Sequence, residues 1–382
     1  MYDCIVIGCG FAGAVVARQL AETRGKKVLI IDSRDHVGGN CFDRKDEYGI
    51  CIHQYGPHIF HTNSKRVYDY LSRFTDWYHY NHEVVGKIYE REIPVPFNLN
   101  SLEMVFGGKA PELEKKLVDR FGEGARVPIL ELMNDKDDDL KEIAAYVYEN
   151  VFLKYTMKQW GKSPKEIDPA VSGRVPVLLS RDNRYFQDEY QGIPLDGYTA
   201  IFEKMLAFDG IEVRLNCQGK EVLRVEPEGR EKVYFEGKPF HGQVIFTGAL
   251  DELFDCRFGR LPYRSLDFRF EHYDKPFYQS HGVVNYTVSE DFTRITEFKY
   301  LSGQMDAKDT TIVKEYPMAY SGKQGEIPYY AINNAENDSL FEKYRDLVEQ
   351  IPDFYLLGRL AEYKYYNIDA IVERALDLAE RI

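Results

Sequence analysis

Tryptophan, cysteine and positive charge are scarce in this 382-residue sequence: there are two tryptophans and six cysteines, and Lys plus Arg (49) fall short of Asp plus Glu (62), for a formal charge of −13. A negative excess of this size excludes general affinity for nucleic acid or for anionic membranes, so an anionic ligand has to meet a local group of arginines. The cysteines, Cys4, Cys9, Cys41, Cys51, Cys217 and Cys256, show no CxxC spacing. That excludes a disulfide framework and a zinc site and leaves buried thiols. No apolar run reaches the roughly 18 residues of a membrane span, which excludes membrane insertion. The opening MYDCIVIGCG lacks the basic start and long apolar stretch of a signal peptide, so the expected location is cytoplasmic. No internal repeat and no low-complexity tract is present.

Hydrophobic residues at 44% and charged residues at 29% match a folded globular chain and exclude disorder, collagen and coiled coil. The length suits two or three domains, or one large α/β domain with insertions. Tyrosine (29) outnumbers phenylalanine (23). Each tyrosine offers an apolar ring and a hydroxyl that needs a partner, so some of them are expected to line a polar cavity.

At the N-terminus, Tyr2 to Ile7 reads as a buried strand, Gly8 to Gly13 as a turn, Ala14 to Thr23 as a helix and Lys27 to Asp32 as a second strand, a βαβ unit. Apolar residues spaced by three and four predict helices from about Leu102 to Gly161. The acidic run Asp135 to Asp139 reads as a solvated helix start rather than a metal site. The segments VIFTG, YRSLDFRFEHY, GVVNYTV and RITEFKY alternate apolar and polar residues and predict antiparallel strands in a separate sheet. Phe354 to Leu357 is expected as a short buried strand and Asp369 to Ile382 as an amphipathic helix.

Gly8-Cys9-Gly10-Phe11-Ala12-Gly13 fits GxGxxG. Alone the pattern is weak, but here it follows a strand and opens a helix, and Asp32 ends the second strand 19 residues after Gly13, placed for a ribose hydroxyl. A pyrophosphate would sit at the helix N-terminus. The second glycine pair, in Asp32-Ser33-Arg34-Asp35-His36-Val37-Gly38-Gly39-Asn40, resembles flavoproteins more than nicotinamide dehydrogenases and implies FAD. The strand and helix around Gly358-Arg359 resemble the flavoprotein element that brings a helix N-terminus to the flavin pyrimidine, where its dipole would stabilise the reduced anion.

His58 and His61 have HxxH spacing, but no third ligand pattern accompanies them, so no metal is expected. The block Tyr55-Gly56-Pro57-His58-Ile59-Phe60-His61-Thr62 instead resembles the UDP-galactopyranose mutase family. So do Tyr155 to Trp160, Arg174-Val175-Pro176-Val177, Tyr185-Phe186, Gln191 to Pro194, Gly197-Tyr198-Thr199, Asn285-Tyr286-Thr287, Thr293-Arg294, Glu315-Tyr316-Pro317 and Gly358-Arg359-Leu360, in order along nearly the whole chain.

The resemblance implies an α/β protein with a discontinuous Rossmann-like FAD-binding domain (1–80, 200–250, 345–382). It implies a helical insertion (100–165) leading into a mobile lid (165–180), and an antiparallel β-sheet substrate domain (80–100, 180–200, 260–330). The implied enzyme is a homodimeric isomerase that interconverts UDP-galactopyranose and UDP-galactofuranose through a covalent adduct of the sugar with N5 of reduced FAD. There is no net redox change, and an external reductant such as NAD(P)H keeps the flavin active. Carried over residue by residue, Arg174 and Arg294 would bind the diphosphate, with His61 beside the flavin as a third catalytic residue. Gly8, Gly10, Phe11, Gly13, Asp32, Ser33, Gly39, Asn40, His58, Ile59, Arg359, Tyr366, Asn367 and Ile368 would hold the cofactor. Phe152, Tyr155, Thr156, Trp160, Tyr185, Asn285, Tyr316 and Tyr365 would contact the UDP-sugar.

The chain departs from the family pattern around the substrate. Val151-Phe152 replaces a paired phenylalanine, Leu178 replaces a common arginine, Asn367 stands where an acid is frequent, and a usual asparagine aligns with Asn81 or His82. These changes leave open whether the sugar is galactose or a derivative such as its N-acetyl form. Two competing readings share the fold: an FAD-dependent oxidoreductase of the amine oxidase type, and a flavin-free binding protein related to GDP dissociation inhibitors. The arginine and aromatic blocks disfavour the first and the intact glycine set disfavours the second.

Overall fold

The computed structural model describes residues 2–161 and 176–382. These residues fall into two compact units, the first made of 1–79, 188–265 and 320–382, the second of 80–187 and 266–319.

The first unit is built on a parallel sheet. Apolar runs form Cys4–Ile7, Val28–Ile31 and, after Gln243, the strand Gln243–Phe246, and their central residues are buried. Strands covered on both faces read as continuous apolar runs, and that is the pattern here. The order across the sheet is Ile211–Arg214, Val28–Ile31, Cys4–Ile7, Gln243–Phe246, Phe354–Leu356, all parallel. The chain therefore winds outward in both directions from Cys4–Ile7, and such a switch point opens a ligand crevice at the carboxyl ends of the strands. The helices Phe11–Arg24 and Ile368–Arg381 share one face's core, through Val15, Val16 and Leu20 on one and Val372, Ala375 and Leu376 on the other. The helix Ala335–Glu349 buries Phe341, Tyr344 and Leu347 in a second cluster with Leu29 and Val244. The VIFTG segment is thus not an antiparallel strand of a separate sheet. Its short apolar run carries no period that separates the two pairings, and its position beside Cys4–Ile7 is set by long-range packing.

In the second unit the sheet runs, from Leu266 in the strand Tyr263–Tyr273, through Thr310–Ala319, Arg294–Glu297, Val283–Tyr286, Val84–Ile88 and Arg91–Val95. Val283–Tyr286 pairs antiparallel with Arg294–Glu297 but parallel with Val84–Ile88, so the sheet is mixed rather than purely antiparallel. The helices Leu99–Phe106, Ala110–Phe121, Ile129–Met133 and Asp138–Val147 belong to this same unit. Leu113, Leu117, Leu140 and Ile143 pack in one cluster with Val84, Ile93 and Val283 of the sheet, and one shared core joins what the sequence divides into a helical insertion and a sheet domain. The acidic run does open a helix: Asp137 caps it by accepting from the Asp139 N–H at 2.9 Å, and Asp135 pairs with Arg120. Among the described residues no helix is long and apolar enough to cross a membrane.

Candidate active site

A cavity of about 680 Å³ lies in the first unit at the carboxyl ends of its strands. All the expected cofactor residues line it except Gly13 and Ile59. Gly13 acts from behind: a Cβ there would stand 2.0 Å from the Gly8 carbonyl oxygen, so its glycine lets helix Phe11–Arg24 close on the first strand. Gly8 has φ +106°, a conformation only glycine adopts without strain. Gly10 is different, since a Cβ on it would meet nothing closer than 3.8 Å. The space that its missing side chain leaves faces the cavity and suits the close approach of a ligand.

Asp32 accepts the Cys9 N–H at 2.7 Å and the Arg34 N–H at 2.9 Å, one on each carboxylate oxygen. Each oxygen keeps a lone pair for a ribose hydroxyl. Arg34, which the cofactor set from sequence omits, lines the same wall. Its Nη2 donates to Asn40 Oδ1 at 2.8 Å, its guanidinium lies 4.3 Å over the Tyr55 ring, and its buried Nη1 has no hydrogen-bond partner among the described residues. An orphaned guanidinium nitrogen on a residue that lines the same cavity as Gly8, Gly10, Gly38 and Gly39 fits a dinucleotide's pyrophosphate. The signal was a cation two residues past Asp32. Burial pushes the Cys9 and Cys41 thiols up to about 12, so neither is a nucleophile at neutral pH.

At the other end of the cavity stand His58, Arg359 and the N-terminus of helix Ile368–Arg381. His58 Nδ1 lies 2.9 Å from the Gly56 carbonyl oxygen and so carries its proton there, while the His58 backbone N–H donates to His53 Nδ1 at 3.0 Å. Burial lowers the His53 pKa to about 4, which keeps that ring neutral and an acceptor. Arg359 donates from Nε to the Tyr366 carbonyl at 2.7 Å and lies 4.5 Å over the Tyr365 ring, and Tyr365 stacks with Tyr330 at 6.0 Å and 25°. Tyr330 was not singled out from sequence, because a tyrosine pair such as Tyr329-Tyr330 reads as ordinary strand. Asn367 precedes the helix without capping it by its side chain. His61 does not line this cavity. Its Nδ1 is 2.8 Å from Asp188 Oδ2, and Asn63 Nδ2 donates to Asp188 Oδ1 at 2.6 Å.

The second unit holds most of the expected substrate residues. Strand register aligns Asn285 with Arg294 and Arg294 with Glu315, one row on one face of the sheet. Arg294 Nε donates to Glu315 Oε1 at 2.5 Å, and the Glu315 side chain is 2% exposed. Burial pushes the Glu315 carboxyl up from the usual range, opposed by the Arg294 guanidinium beside it. Tyr316, next along the strand, packs instead against the Arg269 guanidinium (3.9 Å) and the Phe292 ring (5.7 Å). Tyr185 is about a third exposed, and its backbone N–H donates to the His82 carbonyl at 2.7 Å; the His82 ring stacks on Phe186 at 5.8 Å. Phe152 and Thr156 are buried and Tyr155 half-buried, on a π-helical turn Tyr148–Leu153 that runs into helix Lys154–Trp160. Single π turns of this kind recur at functional sites. Leu178 is a core residue, 4% exposed, its N–H bonded to the Phe97 carbonyl. Arg174, most of the 165–180 segment and the Trp160 side chain lie outside the described residues.

A doubly wound parallel sheet whose switch point carries a GxGxxG turn, an acid just past its second strand and an orphaned arginine defines a dinucleotide-binding α/β protein. Residues 6–74 accordingly match the model of the NAD(P)-binding Rossmann-like domain, and residues 150–365 match that of UDP-galactopyranose mutase. The chain belongs to the UDP-galactopyranose mutase family; it is an isomerase, and its dinucleotide is FAD. It is 35% identical to a UDP-galactopyranose mutase of Mycoplasma genitalium over 387 positions, covering 100% of this chain and 95% of that one. It is also 35% identical to a dTDP-fucopyranose mutase of Escherichia coli over 384 positions, covering 100% and 98%. In fold it is similar to a crystal structure of reduced UDP-galactopyranose mutase, with a TM-score of 0.72 at 15% identity, covering 100% and 93%.

Proposed function

We propose that this chain interconverts the pyranose and furanose forms of UDP-galactose, acting in the cytoplasm as a homodimer whose flavin is kept reduced by an external donor such as NAD(P)H. The observation that carries this reading is the family match over residues 150–365, which spans Tyr155, Arg174, Tyr185, Asn285, Arg294 and Tyr365 in one continuous stretch. Reduced FAD supplies the nucleophile for exchange at the anomeric carbon, through N5, and is returned unchanged.

The chain's own residues do the rest. Asp32, Arg34 and the N–H groups after Gly10 hold the ribose and pyrophosphate of the cofactor. His58, with its proton on Nδ1, and Arg359 border the flavin, and the N-terminus of helix Ile368–Arg381 favours negative charge there. Tyr155, Thr156, Phe152 and Trp160 bind the uridine. Arg294 and Arg174 take up the negative charge that grows on the diphosphate as the glycosidic bond breaks, and a guanidinium set against that charge is worth more in the transition state than in the ground state. Tyr330 and Tyr365 form an aromatic pair suited to a sugar face, beside Asn367.

A second reading is a mutase acting on a dTDP-linked 6-deoxy sugar, favoured by the 35% identity to the dTDP-fucopyranose mutase. Dithionite-reduced protein is incubated without oxygen with UDP-galactose and with dTDP-fucose, and the products are separated by chromatography. Formation of UDP-galactofuranose by the reduced protein alone, over many turnovers per reduction, is the expected result. Conversion of only the dTDP sugar selects the second reading. Stoichiometric consumption of reductant removes both.

A further inference from the structure

The helix Lys154–Trp160 carries Tyr155 and Thr156, and the hairpin Val283–Tyr286 to Arg294–Glu297 carries Asn285 and Arg294. Both lie in the second unit. Lys158 ties them together. Its ammonium donates to the main-chain carbonyls of Tyr286 at 2.5 Å, Glu290 at 2.9 Å and Phe292 at 3.3 Å. An ammonium has three N–H donors, and three carbonyls of one turn receive them.

The turn that this cation fastens is itself closed by the Tyr286 N–H donating to the Thr293 carbonyl at 2.8 Å. From Thr293 the tie continues to the next strand, whose Glu315 carbonyl accepts the Thr293 N–H at 2.9 Å. Glu315 in turn grips Arg294. Tyr286 follows Asn285 directly, and Thr293 precedes Arg294 directly, so both polar residues stand one peptide away from the clamped turn. The Tyr286 and Phe292 rings meet edge to face at 4.7 Å, which packs the turn, and Val151 and Phe152 just before the helix share a buried cluster with Val283 of the hairpin. Lys158 adds the polar tie from the helix to the turn itself.

We propose that Lys158 is a positioning residue for the isomerisation: it fixes the Asn285 and Arg294 hairpin to the Tyr155 and Thr156 helix, so that the nucleoside contacts and the diphosphate contact are held at one separation. The inference rests on the reading of Arg294 as a diphosphate ligand. Its chemistry is that of a compact cation with three donors, which a planar guanidinium does not reproduce.

The test is a double-mutant cycle on the FAD-loaded protein, with Lys158→Met, Arg294→Ala and the double variant, each scored for kcat, KM and UDP affinity after its flavin content and melting temperature are recorded. Arg294→Ala is scored first: near-normal turnover in that single variant removes the reading of Arg294 and this inference with it. Given a slow Arg294→Ala, Lys158→Met is expected to lower kcat about tenfold or more in the wild-type background and less than about twofold in the Arg294→Ala background, because there is no longer an arginine to place. Lys158→Arg should resemble Lys158→Met. The same fold-loss in both backgrounds, or unchanged kcat in Lys158→Met, overturns the proposal. If Lys158→Met and Lys158→Arg both lose flavin and their cooperative melt, Lys158 serves the fold alone, and the proposal is equally overturned.

Discussion

Removing Arg294 does two separable things, and the buried Glu315 beneath it makes them measurable apart. The Glu315 side chain is 2% exposed and its Oε1 receives the Arg294 Nε–H at 2.5 Å. Arg294→Ala leaves that carboxylate buried without its cation, which costs about 3–5 kcal/mol. Glu315→Gln keeps an acceptor of the same shape and removes a charge that burial already opposes, so it should cost less, about 1.5 kcal/mol, because the bond is kept and only its charge assistance is lost. The double variant Arg294→Ala, Glu315→Gln has no buried charge left and should regain about 2 kcal/mol over Arg294→Ala. Turnover should not follow. On the role proposed for Arg294, both variants should be slower by roughly two to three orders of magnitude.

Acidity gives a third arm. The Glu315 carboxyl is already raised by burial, and without Arg294 it is raised further. The native state then holds a proton that the unfolded state releases above about pH 4.3, so stability is lost as pH rises from there toward the folded value. The deficit of Arg294→Ala against wild type should therefore shrink at pH 4–5 and be full at neutral pH. Denaturant melts across pH, with anaerobic turnover of the reduced proteins, decide the matter. A double variant as unstable as Arg294→Ala would refute the buried-charge account, and one with restored turnover would refute the catalytic role of the arginine.

His53, neutral with its pKa lowered to about 4 by burial, resists protonation that the unfolded chain accepts near pH 6.5. Its contribution is complete above pH 6.5 and is lost as pH falls toward 4, about 3 kcal/mol in all, so His53→Gln should flatten the acid limb of the stability profile by about that amount, and an unchanged limb counts against it. Arg34→Ala, which deletes the orphaned Nη1, should weaken FAD retention at least about tenfold in dialysis or flavin-fluorescence titration, and tight flavin in that variant would take Arg34 off the pyrophosphate. Gly13→Ala sets a methyl 2.0 Å from the Gly8 oxygen and should cost about 3 kcal/mol along with flavin content; a yellow protein of normal melting temperature would show that the helix can shift.

The Rossmann-like motif was legible in the sequence because its determinants are local. Gly8, Gly10, Gly13 and Asp32 lie within one βαβ unit, where turn, helix N-terminus and second strand are adjacent in the chain, and the cavity forms against Gly8, Gly10 and Asp32. Family blocks reached further, to Arg294, Tyr185 and Tyr365, by matching residues one at a time. Pattern could not supply pairings across the fold. Nothing local in VIFTG separates a parallel from an antiparallel neighbour, and nothing in Glu315 distinguishes a buried partner of Arg294 from a surface acid 21 residues away. The same holds for Tyr330 against Tyr365, for Asp188 on His61 and for Lys158 on the hairpin turn. Sequence alone determined the glycine turn, the helix start and the acid that ends the second strand, since a glycine's missing side chain and a helix start are properties of a few consecutive residues. Tertiary structure decided which charge sits on which, because sheet register and core packing bring together groups that chain order leaves far apart.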